Sequence, residues 1–187
     1  MKKLLGIMVL GLLWCNILNA GSIKDYKKGG LRLGDSLLDL MYENEIKENL
    51  APISHGDKFI SVMYIPNVFT YPEEVGLYFV IVKPNDKNYT IHGFYLFEQF
   101  PNDFEGCMKK QDEYMKINTK LFNLKPVDHG IAPRPSGPGK WRAVIFEYIR
   151  KKETSSILCY HFQDDPERNN LKMGVLTREF ANYISVK

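Results

Sequence analysis

The stretch from Val75 to Lys83 constrains the fold of this 187-residue chain more than any other segment. In an extended chain Val75, Leu77, Phe79 and Ile81 fall on one face and Tyr78, Val80 and Val82 on the other. A strand that is apolar on both faces belongs in the interior of a sheet.

Its surroundings read the same way. Lys58 to Ile65 precedes it as a strand and Tyr89 to Phe97 follows it, with Pro84-Asn85-Asp86-Lys87-Asn88 as the intervening turn. Arg142 to Ile149 and Ser156 to Phe162 make a second hairpin, and Leu171 to Thr177 alternates as a last strand before a short helix over Arg178 to Ile184. Asp103 to Phe122 is a long amphipathic helix whose start is marked by Pro101-Asn102-Asp103. Ser36, followed by Asp39, is placed to cap a shorter helix carrying Leu37, Leu38, Leu40 and Met41, and Glu43 to Ile46 adds another turn. Gly21 to Gly34 reads as a loose lead-in, and Lys125 to Lys140, with four prolines and three glycines, as a loop. The expected fold class is α+β, an antiparallel sheet of about five strands with helices packed on one face, a two-layer sandwich. Residues 21–187 are long enough for one well-buried domain and short for two.

The first twenty residues speak to location. Lys2 and Lys3 precede an apolar run from Leu4 to Leu18, and Ala20 supplies the small residue at which a signal peptide is cut. That run holds Gly6 and Gly11 and falls short of the roughly 20 apolar residues a spanning helix needs, which favours a cleaved signal over an anchor. A lipoprotein built on Cys15 is disfavoured by the bulk of Trp14 beside it. Export to the periplasm or beyond, with cleavage after Ala20, is the expectation. Losing Lys2 and Lys3 takes the basic count from 25 to 23 against 22 acidic residues, a net charge of +1. Such a chain has no electrostatic reason to seek nucleic acid or a strongly anionic membrane.

Two cysteines remain after Cys15. Phe104, Cys107, Met108, Met115 and Phe122 recur on one helix face, while Ile157, Cys159 and His161 share one strand face, so a Cys107–Cys159 disulfide would staple helix to sheet. Two buried free thiols are the alternative. A redox-active pair is disfavoured because the Cys-x-x-Cys spacing is absent.

No catalytic motif stands out. Gly137-Pro138-Gly139-Lys140 fails as a phosphate loop because Arg134 and Trp141 occupy the places of the required Gly and Ser or Thr. Asp164-Asp165-Pro166-Glu167 lacks the ligand alternation of a calcium loop, and the Asn88-Tyr89-Thr90 sequon has no expected use behind a bacterial-looking signal. His55 with Asp57, and Asp128 with His129, lie in segments read as loops. If they met, they could hold zinc or form an oriented base, though nothing in their spacing requires it. His92 and His161 fall in strands and read as hydrogen-bonded sheet residues. No cofactor is expected. Aromatic residues are the surplus, 11 Tyr and 11 Phe, and Tyr71, Tyr95 and Trp141 are candidates to line a shallow apolar face for a sugar, peptide or protein partner.

Lys2-Lys3-Leu4-Leu5-Gly6, Leu12-Leu13-Trp14-Cys15-Asn16, Leu33-Gly34-Asp35-Ser36-Leu37-Leu38-Asp39, Lys83-Pro84-Asn85-Asp86-Lys87-Asn88-Tyr89 and Leu176-Thr177-Arg178-Glu179-Phe180 carry a resemblance to a group of small Sec-exported proteins of marine bacteria with no assigned activity. The resemblance implies a secreted or periplasmic single domain and brings no active-site residue. The reading is therefore a non-catalytic exported domain that binds a small ligand or an envelope partner through the Pro/Gly loop around Trp141 and one edge of the sheet. The alternatives are a small metal-dependent hydrolase built on His55, Asp57, Asp128 and His129, and a structural component of the envelope.

Overall fold

The computed structural model describes residues 23, 26–67, 70, 76–148 and 153–185. The leader and its cleavage point, Cys15, Tyr71, Val75 and Arg150 lie outside them. Eight strands form one antiparallel sheet: β1 (Leu50–Ser54), β2 (Ile60–Tyr64), β3 (Leu77–Val82), β4 (Gly93–Gln99), β5 (Val127–Pro133), β6 (Gly139–Tyr148), β7 (Glu153–Phe162) and β8 (Asn170–Thr177). They lie in the order β1-β2-β3-β4-β8-β7-β6-β5. Each half of the chain contributes a four-strand meander, and β8 returns beside β4 to fuse the two edge to edge. The helices are α1 (Glu43–Glu48), α2 (Phe104–Phe122) and α3 (Arg178–Ser185).

Eight strands stand against the expected five or so: the six segments read as strands all contribute one, and both sheet edges come from segments without a strand signature. β1 contains Pro52 and follows α1 almost directly. β5 lies inside the proline- and glycine-rich stretch read as a loop, and six of its seven residues are exposed. An edge strand has no second neighbour to bury it, so it shows neither alternation nor a hydrophobic run. Gly130, at φ +66°, sits where the β5–β6 register slips between Asp128 and Ile131, a conformation that glycine adopts without steric cost.

α2 begins where the Asp103 carboxylate accepts a hydrogen bond from the Gly106 N–H at 2.7 Å, and ends at Asn123 in the left-handed conformation. It lays Phe104, Cys107, Gln111, Asn118 and Phe122 onto the sheet, against Val144, Phe146, Ile157, Cys159 and Met173 among others. The Gln111 amide donates to the Arg142 and Ile157 carbonyls at 2.9 and 2.7 Å, tying the helix to β6 and β7. Cys107 and Cys159 form a disulfide, with Cα atoms 6.0 Å apart. Closing a loop of this length disfavours the unfolded chain by roughly 4 kcal/mol in the chain-entropy model. The bridge suggests an oxidising, extracytoplasmic compartment. Among the described residues no helix is long and apolar enough to cross a membrane.

Two further expectations are corrected. The lead-in before Gly34 is not loose: Ile23, Leu31 and Leu33 are buried in the main core. Nor do the helices share one face. α3 packs on the side of the sheet opposite α2, where Phe180 joins Phe59, Ile81, Tyr95 and Leu176 in a second cluster. The double-sided apolar pattern of β3 explains this: Tyr78, Val80 and Val82 enter the main core, whereas Ile81 enters the cluster under α3. The expected short helix after Ser36 is a single 3-10 turn, Leu37–Asp39, with Ser36 Oγ accepting from the Leu38 N–H at 3.2 Å.

Candidate functional site

The sequence candidates for metal or acid-base chemistry are dispersed. His55 follows β1 at one edge of the sheet, and Asp128 and His129 lie in β5 at the other. In the strand order these two are the opposite ends of the sheet. His55 packs its ring edge-on against Phe180, with centroids 4.9 Å apart, and Asp57 is exposed. Asp128 is committed to Arg142. The guanidinium donates to Asp128 at 2.6 Å and to Asp112 of α2 at 2.8 Å, and its hydrogen bond to Asp128, with that from the Gly130 N–H, holds the Asp128 carboxyl below its usual range. The arrangement anchors β5 to α2. Among the described residues no three His, Cys, Asp or Glu side chains come together as a metal-binding group.

The other polar candidates have structural positions. The His161 ring nitrogen lies 3.2 Å from the Asn169 side-chain oxygen. His92 lies 3.5 Å from Glu179, which pairs with Lys83 at 2.7 Å, and burial is the main cause that lowers the His92 pKa. Gly137 and Gly139 form the tip of the β5–β6 hairpin, where Arg134 Nη1 donates to the Pro138 carbonyl at 3.0 Å. Pro166–Arg168 is a 3-10 turn.

The aromatic candidates fare differently, because alternation in the strands places Trp141 and Tyr95 on one face. The register pairs Trp141 with Tyr160, and Leu158 with Lys172, across β6, β7 and β8. β4 places Tyr95 and Phe97 on the same side, and β3 adds Phe79 opposite Tyr95. This is the side away from α2; α3 covers one end of it, where Tyr95 is buried and Phe97 packs in the Phe180 cluster, and from Glu153 to Tyr160 the residues of β7 that face this side are half-buried while their neighbours on the helix side are buried.

From Trp141 to Phe79 the strip crosses five adjacent strands, about 19 Å at ~4.8 Å per spacing. The Trp141 and Tyr160 rings stack with centroids 5.9 Å apart and planes at 18°. Phe162 follows Tyr160 at 6.3 Å under the Arg134 guanidinium, which lies 3.9 Å from its centroid. At the other end Phe79 meets Phe97 edge to face at 5.2 Å. Tyr95 lies across Gly174 of β8, where any Cβ would collide with its ring. The close approach therefore requires glycine at that position.

Between the two aromatic groups stands Lys172. Its ammonium is 3.7 Å from the Tyr95 centroid and 5.6 Å from that of Phe97, a cation–π arrangement. Among the described residues it has no carboxylate partner, and burial alone brings its pKa down to about 8. Burial also pushes the Tyr95 and Tyr160 phenols above their ordinary values, so both are neutral where Lys172 titrates. Beside α3 the same side of the sheet forms an open groove of ~410 Å³, within the ~300–1,000 Å³ of small-molecule sites. Its wall includes Ile145, Glu147, Thr154 and Arg178.

Lys172 had a faint signal in the sequence. It is the outward residue between Leu171 and Met173, where a lysine reads as an ordinary solvent-facing charge. Only the neighbouring Gly174 hints that another side chain lies across the strand.

No protein-family profile matches this chain, and neither a curated protein nor a solved structure is significantly similar to it.

Proposed function

We propose that the chain is an exported, non-catalytic binding domain, cleaved after Ala20 and resident in the periplasm or beyond, whose site is the half-open sheet face carrying Trp141, Tyr160, Lys172, Tyr95 and Phe97. The observation that carries the reading is the Lys172 ammonium, without a carboxylate partner among the described residues, set over the buried Tyr95 ring and beside half-buried Phe97 on the side of the sheet away from α2. A buried charge without a counter-charge is costly, and a fold that needed only solubility at this position would leave the lysine in water. Rings on a rigid sheet provide contact area with little loss of conformational entropy on binding, which suits recognition. The disulfide and the leader support the location.

A protein partner in the envelope is the second reading, favoured by β5. This edge strand exposes Val127 and Ile131, each at 55%, and its outer backbone groups are open to strand addition.

The test uses Trp141 as reporter. Saccharides, amino acids, short peptides and divalent metals are titrated into the oxidised exported protein, and the emission lost in Trp141→Phe is taken as the Trp141 signal. A saturable change with an organic ligand that also raises the unfolding midpoint supports the reading. A midpoint that rises only with a transition metal, with Trp141 emission unchanged, contradicts it.

A further inference from the structure

Resting on the binding reading above, we infer that the open face takes a carboxylate-bearing saccharide, its acid group paired with Lys172 and its apolar ring faces packed along the strip from Trp141 to Phe79. The argument for charge is complementarity. Lys172 and Arg134 are cations among rings, Lys172 has no acidic partner among the described residues, and Arg134 spends one N–H on the Pro138 carbonyl and covers Phe162. An incoming carboxylate would meet the Lys172 ammonium where water is already partly excluded, so the pair is stronger than a surface ion pair.

The argument for a saccharide comes from the backbone. The strip lies on β3, β4, β8, β7 and β6, the inner strands, whose N–H and C=O groups are paired within the sheet. A peptide laid across it gains no strand addition and leaves its own backbone groups facing aromatic rings, a desolvation cost without a partner. A uronic-acid ring offers a C–H face to the aromatics and keeps its hydroxyls toward water, and a strip about 19 Å long at ~4.8 Å per strand accepts several sugar units.

Anion binding also imposes a pH signature. The phenols beside Lys172, Tyr95 from β4 and Tyr160 from β7, are both neutral well above pH 8, and the other charged or titratable groups on this side are Arg134 over Phe162, Glu147 of β6, Lys83 with Glu179, and Arg178 and Tyr183 of α3. Loss of affinity near pH 8 therefore reports Lys172. The test is calorimetric titration of the exported, oxidised protein with a galacturonate hexamer, a neutral galactose hexamer and hexaglutamate, at pH 6.5 and pH 9.5.

The expected result is that the uronate hexamer binds at least tenfold more tightly than the neutral one at pH 6.5 and loses most of that advantage at pH 9.5. Lys172→Gln should bring the two sugars to parity, with a cooperative thermal unfolding transition of the variant as the check on folding. Lys172→Arg should keep the preference and remove its pH dependence. Equal binding of both sugars, with Lys172→Gln without effect, overturns the acidic-ligand inference and leaves the binding face standing. Hexaglutamate binding as tightly as the uronate overturns the saccharide class. No heat from either sugar overturns the inference, and the binding reading falls with it only if amino acids and short peptides also leave Trp141 emission and the unfolding midpoint unchanged.

Discussion

Ile157 and Leu158 are neighbours in β7, yet they live in different environments. Ile157 is buried under α2 beside the disulfide, whereas Leu158 is half-buried on the face with Lys172 and Tyr160. The same strands thus build two unlike surfaces. On the helix side Phe122, Phe146, Cys107 and Cys159 are closed off from water, and polar groups such as Gln111 donate to backbone carbonyls. On the other side Trp141 and Tyr160 are stacked and only partly covered, and the Lys172 ammonium lies over the Tyr95 ring with no carboxylate partner among the described residues. The first surface carries the larger part of the core, and the second holds a smaller cluster under α3 beside a partly desolvated cation.

The sharpest way to break this comparison is to truncate one large ring on each side. Phe146→Ala should cost about 3–5 kcal/mol, since it removes a fully buried ring and leaves a cavity. Trp141→Ala, on the half-open face, should cost about 1 kcal/mol or less. Urea unfolding of the oxidised protein measures both, and equal losses would erase the distinction between the faces.

A smaller effect concerns Lys172. Its pKa of about 8 lies below that of an unfolded lysine, so between those values the unfolded chain binds more protons and stability rises with pH. Below about pH 8 both states are protonated and the folded state bears the full penalty. Lys172→Met should therefore stabilise the protein at pH 7 by about 1–3 kcal/mol and flatten the rise in stability between about pH 8 and pH 10. A variant that is less stable at pH 7 would mean that the ammonium has a partner.

Much of the covered side was legible in the sequence. The double-sided apolar run of β3, the alternation of β7 and the helical spacing of Phe104, Cys107 and Phe122 each carry a burial signal, and the last two put Cys107 and Cys159 on facing surfaces, which leaves a staple or two buried thiols as the readings. The edges were not legible. β1 and β5 are strands by virtue of backbone pairing with a neighbour, and their Pro52, Gly130 and exposed residues carry turn signals instead. The side taken by α3 was also hidden, because its short amphipathic pattern says that one stripe is buried but not against which side of the sheet.

The open face was half visible. Trp141 and Tyr95 were marked by composition, but their approach to Lys172 depends on two strands distant in sequence, β4 and β8, lying side by side. The dispersal of His55, Asp57, Asp128 and His129 has the same origin. Local sequence placed them in similar segments, and the strand order sent them to opposite edges.

Methyl NMR on the exported protein tests the central claim most directly, with Ile157 and Leu158 as paired reporters. A soluble paramagnetic agent should broaden the Leu158 methyls and spare the Ile157 methyl, and saturation with a ligand that changes Trp141 emission should protect Leu158. Equal protection of the two residues in the free protein, or a ligand that leaves Leu158 open to the agent, would contradict the account.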